Sequence, residues 1–331
     1  MPGTELDGGP ASRMTAPIAI RLGLLVIAPT TAAGSHADWQ VEMITSPPSM
    51  SGCFTVVYPS TTWTRVDCGT PSAIPSTVGN ENDHVAKVPS GSLIDLSDGG
   101  ITTSSTVGGE YDSGRGCNLI TGVTGSRCSN TFSIQDNSNF FTTSYSGSSM
   151  DAWQQFLFDN NGVNGTADIY MQYWLIGWLN SHTSCPSKNS NLNTPWYASG
   201  TSCFANSKDV SFAAITASGL PGIALAGEAK CGSCGSNDEV AACTSASCYS
   251  VAVSDSVLSL ASHWVQAEWN VFGIYDGDRA YFGSGTVLRV GDNIAHFVTV
   301  SCLKAGFTGE TNNHDLISCG AGPSAMFFGE S

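Results

Sequence analysis

The chain has 331 residues, with 27 acidic and 12 basic side chains, a formal net charge of -15 and a sequence pI of about 4.5. Because Lys and Arg form no cluster and the net charge repels phosphate, we exclude nucleic acid as a partner. Hydrophobic residues make up 41% of the chain, which is enough for a packed core, whereas charged residues make up only 12% and glycines number 37. This composition is typical of a secreted protein with many short strands and loops.

The first 37 residues have the features of a signal peptide. Arg13 or Arg21 precedes the apolar run at residues 22–28 (LGLLVIA), and small residues follow it. The run is too short to span a bilayer, so we expect export to the extracellular space and no membrane partner. Met14 is an alternative start to Met1.

Composition also divides the rest of the chain. Residues 38–51 are rich in Pro and Ser and predict a linker, which leaves residues 52–331 as a single secreted domain. We expect this domain to be monomeric. Residues 52–68 predict two short strands around a turn at Pro59, and the Gly/Ser/Thr-rich residues 90–113 and 122–129 predict loops.

The clearest hairpin joins residues 153–158 (WQQFLF) to residues 169–178 (IYMQYWLIGW) through a polar turn. Other apolar runs predict strands at residues 131–134, 139–145, 210–215, 223–226, 249–253, 267–272, 280–282, 286–290 and 296–301. Many short strands at close spacing indicate an all-β fold, an antiparallel β-sandwich with disulfide-stapled loops.

One segment has helical rather than strand periodicity. Within residues 255–265, Val257, Leu260, Ala261 and Trp264 lie at positions i, i+3, i+4 and i+7, and Ser254 precedes them as a possible N-cap. The pattern predicts one short helix that packs over an edge or face of a sheet.

Twelve cysteines, an even number in a chain with a leader, predict up to six disulfides. Local spacing suggests four pairs: Cys53 with Cys68, Cys117 with Cys128, Cys185 with Cys203, and Cys302 with Cys319. A further group, Cys231, Cys234, Cys243 and Cys248, has the thiols of a zinc site. We favour disulfides there because export favours oxidation and the second pair has CxxxxC spacing.

Glu268 is the first catalytic candidate, because an acid between Ala267 and Trp269 in an apolar strand is costly to bury. Period-two alternation places Glu268, Asn270 and Phe272 on one face of that strand. In the predicted hairpin the same rule gives two polar and aromatic faces, one with Trp153, Gln155, Leu157 and Asp159 and one with Tyr170, Gln172 and Trp174. Amides and one acid framed by aromatic rings would form a groove on the sheet.

These strands resemble those of known peptidases. The run AEWNVFG at residues 267–273 resembles the strand that carries the catalytic glutamate of the eqolisin family of fungal glutamic peptidases, and WQQFLFD at residues 153–159 resembles its glutamine strand. The hairpin is also similar to that of neprosin-type glutamic peptidases, which implies a concanavalin A-like jelly roll. From Gly52 onward, the chain resembles more extensively a group of bacterial secreted proteins with no established activity.

The resemblance implies a secreted endopeptidase of peptides or proteins, without a metal or cofactor. Glu268 would activate water and then protonate the leaving amine, and Gln155 would stabilise the oxyanion. The substrate would be held by one surface of aromatic and amide side chains, which consists of Trp153, Tyr170, Gln172 and Trp174. A desolvated glutamate has a raised pKa, so we expect activity in acid.

Several alternatives remain open at the level of sequence. Glu268 could be a structural acid paired with Arg289, and Gln154 or Gln172 could replace Gln155 if the register shifts by one residue. The turn at Asp276 and Asp278 could be a weak calcium loop. The chain could instead be a non-catalytic module that stacks polysaccharide on its aromatic residues, or a durable surface protein. No GxSxG or HExxH motif supports a serine or zinc hydrolase.

Overall fold

The computed structural model describes residues 35–76, 84–103, 111–112, 115–187, 189, 191–192, 194–229, 235–275, 278–283, 285–296, 299–304, 315–322 and 324–330. The predicted leader, residues 1–37, therefore lies almost wholly outside the described residues, as do Cys231, Cys234 and Asp276.

Alternating apolar residues and turn-forming residues give a chain made mostly of antiparallel strands. The strands are β1 Gly52–Val57, β2 Thr64–Val66, β3 His84–Lys87, β4 Leu96–Thr103, β5 Tyr111–Asp112, β6 Cys128–Ser129, β7 Thr131–Ser138, β8 Phe141–Tyr145, β9 Ser148–Asn161, β10 Thr166–Ile176, β11 Tyr197–Ser199, β12 Ser202–Asn206, β13 Val210–Ala213, β14 Ala224–Ala229, β15 Asn237–Cys243, β16 Ser247–Ser254, β17 Gln266–Phe272, β18 Ala280–Tyr281, β19 Leu288–Ile294, β20 Ser301–Lys304, β21 Asp315–Gly322 and β22 Ala325–Glu330. The α-helices are α1 His36–Ile44 and α2 Arg115–Thr121.

Two large sheets form the sandwich, which confirms the predicted fold class. One sheet has nine strands in the order β2-β1-β16-β15-β14-β4-β19-β22-β21. The other has ten strands: β11-β12-β10-β9-β7-β17-β3-β20, with β13 beside β10 and β8 beside β9. A small third sheet has the order β18-β5-β6. The main hydrophobic core lies between the two large sheets.

Glycines on the nine-stranded sheet make room for large aromatic rings on the ten-stranded sheet. A Cβ at Gly99 would lie 2.4 Å from the Trp269 ring, and a Cβ at Gly227 would lie 2.4 Å from the Phe156 ring. The two strands that carry these glycines, β4 and β14, therefore approach the rings closely. This packing explains why part of the segment predicted to be loop, residues 90–113, contains a central strand instead: glycine there serves packing rather than a turn.

Helix α1 covers the outer face of the nine-stranded sheet. Ser35 and Asp38 form a reciprocal capping box at its N-terminus, which satisfies two backbone donors of the first turn. Trp39, Met43 and Ile44 are buried against a small cluster that includes residues of β1, β14 and β15. The segment predicted to be a linker, residues 38–51, thus begins within a packed helix.

The predicted hairpin is confirmed and is longer than expected. Strands β9 and β10 pair over eleven residues, with Gln155 opposite Gln172 and Trp153 opposite Trp174. Strands β1 and β2 also pair as predicted.

Two predicted elements are wrong. Residues 255–265 form two short 3-10 turns, Asp255–Val257 and Leu260–Ser262, instead of one helix. Ser259 between them has a φ of 62°, a left-handed conformation that interrupts a helix. The strand predicted at residues 296–301 is also absent from the described part of that segment, because His296 has a φ of 66° and lies in a turn, and β20 starts at Ser301.

Disulfides close the predicted local loops. Cys53 is bonded to Cys68, Cys117 to Cys128, and Cys185 to Cys203, and Cys302 is also disulfide-bonded. The side chain of Cys319, the predicted partner of Cys302, lies outside the described residues. A fourth described disulfide joins Cys243 to Cys248. Several disulfides indicate folding in an oxidising compartment. Within the described ranges, no helix has the length and apolar character needed to cross a bilayer.

Candidate functional site

A row of five polar side chains crosses the ten-stranded sheet on the face away from the main core. The row follows the register of five adjacent strands, β17, β7, β9, β10 and β12: Glu268 lies opposite Asn137, Asn137 opposite Gln155, Gln155 opposite Gln172, and Gln172 opposite Asn206. All five are buried, with Glu268 1% exposed and Gln155 fully covered. We call these residues the polar row.

The two predicted catalytic residues lie in this row with one side chain between them. Glu268 and Gln155 are two strands apart, so about 10 Å separates their Cα atoms. Asn137 bridges the gap: its Nδ2 donates to Glu268 Oε2 at 3.2 Å, and its Oδ1 accepts from Gln155 Nε2 at 3.1 Å. The acid and the amide therefore belong to one hydrogen-bond network.

Trp174 fixes the orientation of the Gln155 amide. The indole N–H of Trp174 can only donate, and it donates to Gln155 Oε1 at 2.9 Å, so Nε2 must point the other way. From there Nε2 donates at 2.8 Å to the backbone carbonyl of Ser76 and at 2.8 Å to Gln135 Oε1, in addition to Asn137. One N–H of Gln155 is thus aimed at a peptide carbonyl.

The same indole also fixes the next amide in the row. Trp174 Nε1 donates to Gln172 Oε1 at 3.0 Å, and the backbone N–H of Ser76 donates to the same oxygen at 2.8 Å. Gln172 Nε2 then donates to the carbonyl of Ile74 at 2.9 Å and to Asn206 Oδ1 at 2.8 Å. Asn206 Nδ2 completes the series with a 2.9 Å bond to the carbonyl of Ser72.

Residues 72–76, which we call the strap, therefore lie across the polar row. Their carbonyls at every second residue accept hydrogen bonds from three carboxamides on three adjacent strands. Carbonyls at alternate positions point to the same side only when a chain is extended. The arrangement is chemically competent to hold the main chain of an extended peptide.

Aromatic side chains border the row. Trp153, Trp174 and Phe204 form a separate hydrophobic cluster, with the Trp174 and Phe204 rings stacked at 5.1 Å. Trp153 Nε1 donates to the carbonyl of Ser138 at 2.8 Å. The predicted substrate-binding residues Trp153, Tyr170 and Trp174 thus share the face of Gln155 and Gln172, but they are at most 2% exposed in this structure.

Tyr170 pairs with an acid at the far side of the row. Its hydroxyl donates to Asp159 Oδ2 at 2.5 Å. Burial raises the pKa of Asp159 to about 7, although the bond from Tyr170 opposes that shift. The same burial, together with Asp159, raises the pKa of the Tyr170 phenol. This pair anchors one end of the face and keeps a proton between its two oxygens.

The structure separates the alternatives for the catalytic pair. Gln154 faces the other way, into the inter-sheet core, where its Nε2 donates to Asp238 Oδ2 at 3.0 Å. Gln172 shares the face of Gln155 and lies one strand farther from Glu268. Arg289 is exposed on β19 of the nine-stranded sheet, whereas Glu268 is buried on the ten-stranded sheet, so the alternative pairing of Glu268 with Arg289 has no support.

The sequence interpretation missed Asn137, Gln135, Asn206 and the strap. Asn137 and Gln135 could have been found, because they continue the polar face of β7 from Ser133 at period two, although Asp136 and Ser138 interrupt the apolar face after Ile134. The predicted strand stopped at residue 134. The strap is a loop without periodicity, and only the folded chain places it against the row.

The opposite face of the same sheet contributes to a second group of acids. Asp136 of β7 points into the core near Asp292 and Asp98, and burial followed by the charge of Asp292 raises its pKa well above the usual range. Burial likewise raises the pKa of Asp292, and that of Asp98 to about 6. Ser97 Oγ donates to Asp292 Oδ1 at 2.8 Å. These carboxyl groups hold protons up to unusually high pH.

Strands β14 and β15 of the nine-stranded sheet also carry buried acids with raised pKa values. Burial raises the pKa of Glu228 to about 8, and nearby Asp95 and Asp98 add to the shift. The pKa of Glu239 is raised by burial as well, and Ser250 donates a hydrogen bond to its carboxyl group. The protein interior therefore holds several protonated acids. Asp136 and Asp292 lie between the two large sheets, whereas Glu228 and Glu239 lie on the other face of the nine-stranded sheet, the face of Ala226 and Ala241 in the α1 cluster.

The four cysteines considered as zinc ligands are not all available as thiols. Cys243 and Cys248 are joined in a disulfide, so neither is available as a thiolate ligand. Among the described residues, His, Cys, Asp and Glu form no group of three or more suited to a metal ion.

No protein-family model matches the chain, and neither curated proteins nor solved structures show significant similarity to it. The resemblance to glutamic peptidases therefore remains a prediction from short motifs, and function has to be argued from the geometry of the polar row.

Proposed function

We propose that the protein is a secreted endopeptidase of the glutamic type, with Glu268 and Gln155 as its catalytic residues. One observation carries the proposal: the buried Glu268 carboxylate and the Gln155 carboxamide lie on one face of one sheet, and Gln155 donates to a peptide carbonyl. The disulfides and the leader-like N-terminus support export of the chain.

In the proposed reaction a water molecule is the nucleophile, and the chain acts through one acid and one amide without a cofactor. Glu268 accepts a proton from water as the water oxygen forms a bond to the scissile carbonyl carbon. Gln155 Nε2 donates to the carbonyl oxygen as it becomes an oxyanion, in the manner of its bond to Ser76. The C–N bond then breaks, and Glu268 returns the proton to the leaving amine.

Neighbouring side chains fix both groups before substrate arrives. Trp174 holds Gln155 so that Nε2 faces the carbonyl, and Asn137 holds Glu268 through one carboxylate oxygen. Groups that are oriented in advance need no reorganisation as charge develops, which is where such sites gain most of their rate. Asn137 and Trp174 are positioning residues in this proposal.

The buried acids with raised pKa values favour the folded state at low pH. Asp98, with a pKa of about 6, and Glu228, with a pKa of about 8, are protonated in the folded protein at acidic pH. Each raised pKa gives stability that is complete below the unfolded value, near 4, and is lost as the pH rises through the folded value. The fold is thus suited to acid, where we expect the peptidase to act.

A sugar-binding groove has less support than a peptidase site. Stacking on a sugar requires exposed ring faces, and the rings of Trp153, Trp174 and Phe204 are at most 2% exposed. A glycosidase would also need two carboxyl groups across the groove. The polar row has one acid and four carboxamides.

The proposal is tested by incubating the purified chain with denatured protein between pH 2 and pH 6, a range that brackets the ordinary glutamate pKa of about 4.3. We expect cleavage that resists both pepstatin and metal chelators. Intact substrate throughout this range, both with wild type and with a Ser76→Pro chain that lacks the strap's N–H bond to Gln172, would remove the peptidase assignment. A Glu268→Ala chain that cleaves as fast as wild type would also remove it.

A further inference from the structure

The strap shows which ligand the polar row is built to hold. Its carbonyls accept one hydrogen bond from each of three carboxamides, and a fourth bond runs from the strap's own Ser76 N–H to Gln172 Oε1. Every one of these four bonds is to main-chain atoms of the strap. A site that reads the main chain at alternate residues accepts an extended peptide with little regard to its side chains.

The direction of the strap relates this ligand to the catalytic pair. Its N-terminal residue, Ser72, contacts Asn206 on β12, and its C-terminal residue, Ser76, contacts Gln155 on β9. The row continues from Gln155 to Asn137 and Glu268. A peptide bound like the strap therefore runs toward Glu268, with its fifth carbonyl on the proposed oxyanion donor.

The strap is fastened at its N-terminal side. Cys68 is disulfide-bonded to Cys53 of β1, and the backbone N–H of Gly69 donates to the carbonyl of Asp209 at 3.0 Å. Lys208 Nζ donates to Thr70 Oγ1. These contacts keep residues 72–76 beside the row, so the strap competes with any free peptide at an effective concentration of about 1 mM.

We propose that the carboxamides of Gln155, Gln172 and Asn206 form a binding site for the main chain of an extended peptide, and that residues 72–76 occupy this site as an intramolecular inhibitor. The inference rests on the proposed function for the role of Gln155, and it adds the substrate direction and a means of regulation. Release of the strap opens the row to a peptide in trans.

The test measures binding separately from cleavage. All variants carry Glu268→Gln so that the probe stays intact, and the probe is the fluorescein-labelled hexapeptide Pro-Ser-Ala-Ile-Pro-Ser with an amidated C-terminus, followed by fluorescence anisotropy. Ser76→Pro removes the strap N–H that donates to Gln172. Ala73→Pro is the matched control, because Ala73 is an exposed residue of the strap and contributes none of the four bonds to the row.

We expect the Ser76→Pro chain to bind the peptide about tenfold more tightly than either the parent or the Ala73→Pro chain, as loss of one strap bond predicts. Adding Gln172→Leu should remove that binding. If the Gln172→Leu chain does not fold, Asn206→Leu should weaken binding about fivefold, since it removes the donor to the Ser72 position. Equal peptide affinity of the parent, control and Ser76→Pro chains would overturn the proposal. An affinity that stays the same when Gln172 and Asn206 are replaced would also overturn it.

The two proposals can fail separately. Peptide binding by the Ser76→Pro chain, with no acid proteolysis by the same variant when Glu268 is restored, would leave the main-chain site and its inhibitor in place and remove the peptidase assignment. Acid proteolysis by wild type, together with no gain of binding on strap release, would keep the peptidase and remove the strap as its inhibitor.

Discussion

The two faces of the ten-stranded sheet bury acidic side chains in different ways. On the inner face, Asp136 lies near Asp292, and burial raises the pKa of each carboxyl group, so both acids keep their protons. On the outer face, Glu268 is the single acid of a row of carboxamides and accepts a hydrogen bond from Asn137. Clustered carboxylic acids with raised pKa values favour stability at low pH, whereas one acid among oriented amides is the arrangement that the proposed peptidase reaction requires.

The largest expected effect is the loss of activity in Glu268→Gln, which keeps the shape of the side chain and removes its base. Cleavage of denatured protein in acid should fall on the order of 10³-fold in kcat/KM. Glu228→Gln is the matched control, because it changes a buried glutamate of the other sheet in the same way. A comparable loss in both variants would mean that burial alone, and not position in the row, explains the effect.

The next largest effect is expected for Gln155→Ala, which removes the donor aimed at the substrate carbonyl. Steady-state kinetics should show a fall in kcat on the order of 10²-fold. Gln154→Ala provides the comparison from the inner face: it breaks the bond to Asp238 and should lower thermal stability while kcat is retained. If the Gln154 variant loses kcat and the Gln155 variant does not, the assignment of faces is wrong.

Trp174→Phe should have a smaller effect, about tenfold on kcat/KM, because it frees the amides of Gln155 and Gln172 to rotate. Trp178→Phe is the control, since Trp178 Nε1 donates to the carbonyl of Ser184, outside the row. Rates that match wild type for Trp174→Phe would show that the indole does not orient Gln155.

The smallest expected effect concerns how the melting temperature of the protein depends on pH. Because folded pKa values are raised, wild type should unfold at a lower temperature at pH 8 than at pH 4. Asp136→Asn removes one ionisable group from the core and should raise the melting temperature at pH 8 by about 3 °C. At pH 4 the two melting curves should nearly coincide. A wild-type melting temperature that rises toward pH 8 would contradict the raised pKa values.

Much of this arrangement could be predicted from local sequence. Period-two alternation assigned Gln155 and Glu268 each to one face of its strand, because the side-chain period of a strand is two residues, but it left Gln154 and Gln172 open as alternatives to Gln155. It could not show that β7 lies between their strands. That order depends on long-range pairing, and it is what brings Asn137 between the two candidates.

Other features depended on conformations that periodicity does not reveal. The helical spacing of residues 255–265 was real, but Ser259 adopts a left-handed conformation and Asp255 Oδ1 accepts from the backbone N–H of Ala261, so the chain folds into two 3-10 turns. The strap has no pattern of its own. Its position is set by the Cys53–Cys68 disulfide and by the carboxamides beneath it.

The most direct test of the central claim is a double-mutant cycle between Glu268→Gln and Gln155→Ala, measured as kcat/KM for one peptide substrate in acid. Residues that act on the same transition state as a unit show strongly non-additive losses. If Glu268 and Gln155 form one catalytic site, the double variant should be scarcely slower than Glu268→Gln alone. Losses that multiply, or a single variant as active as wild type, would contradict the claim that these two residues form one catalytic site.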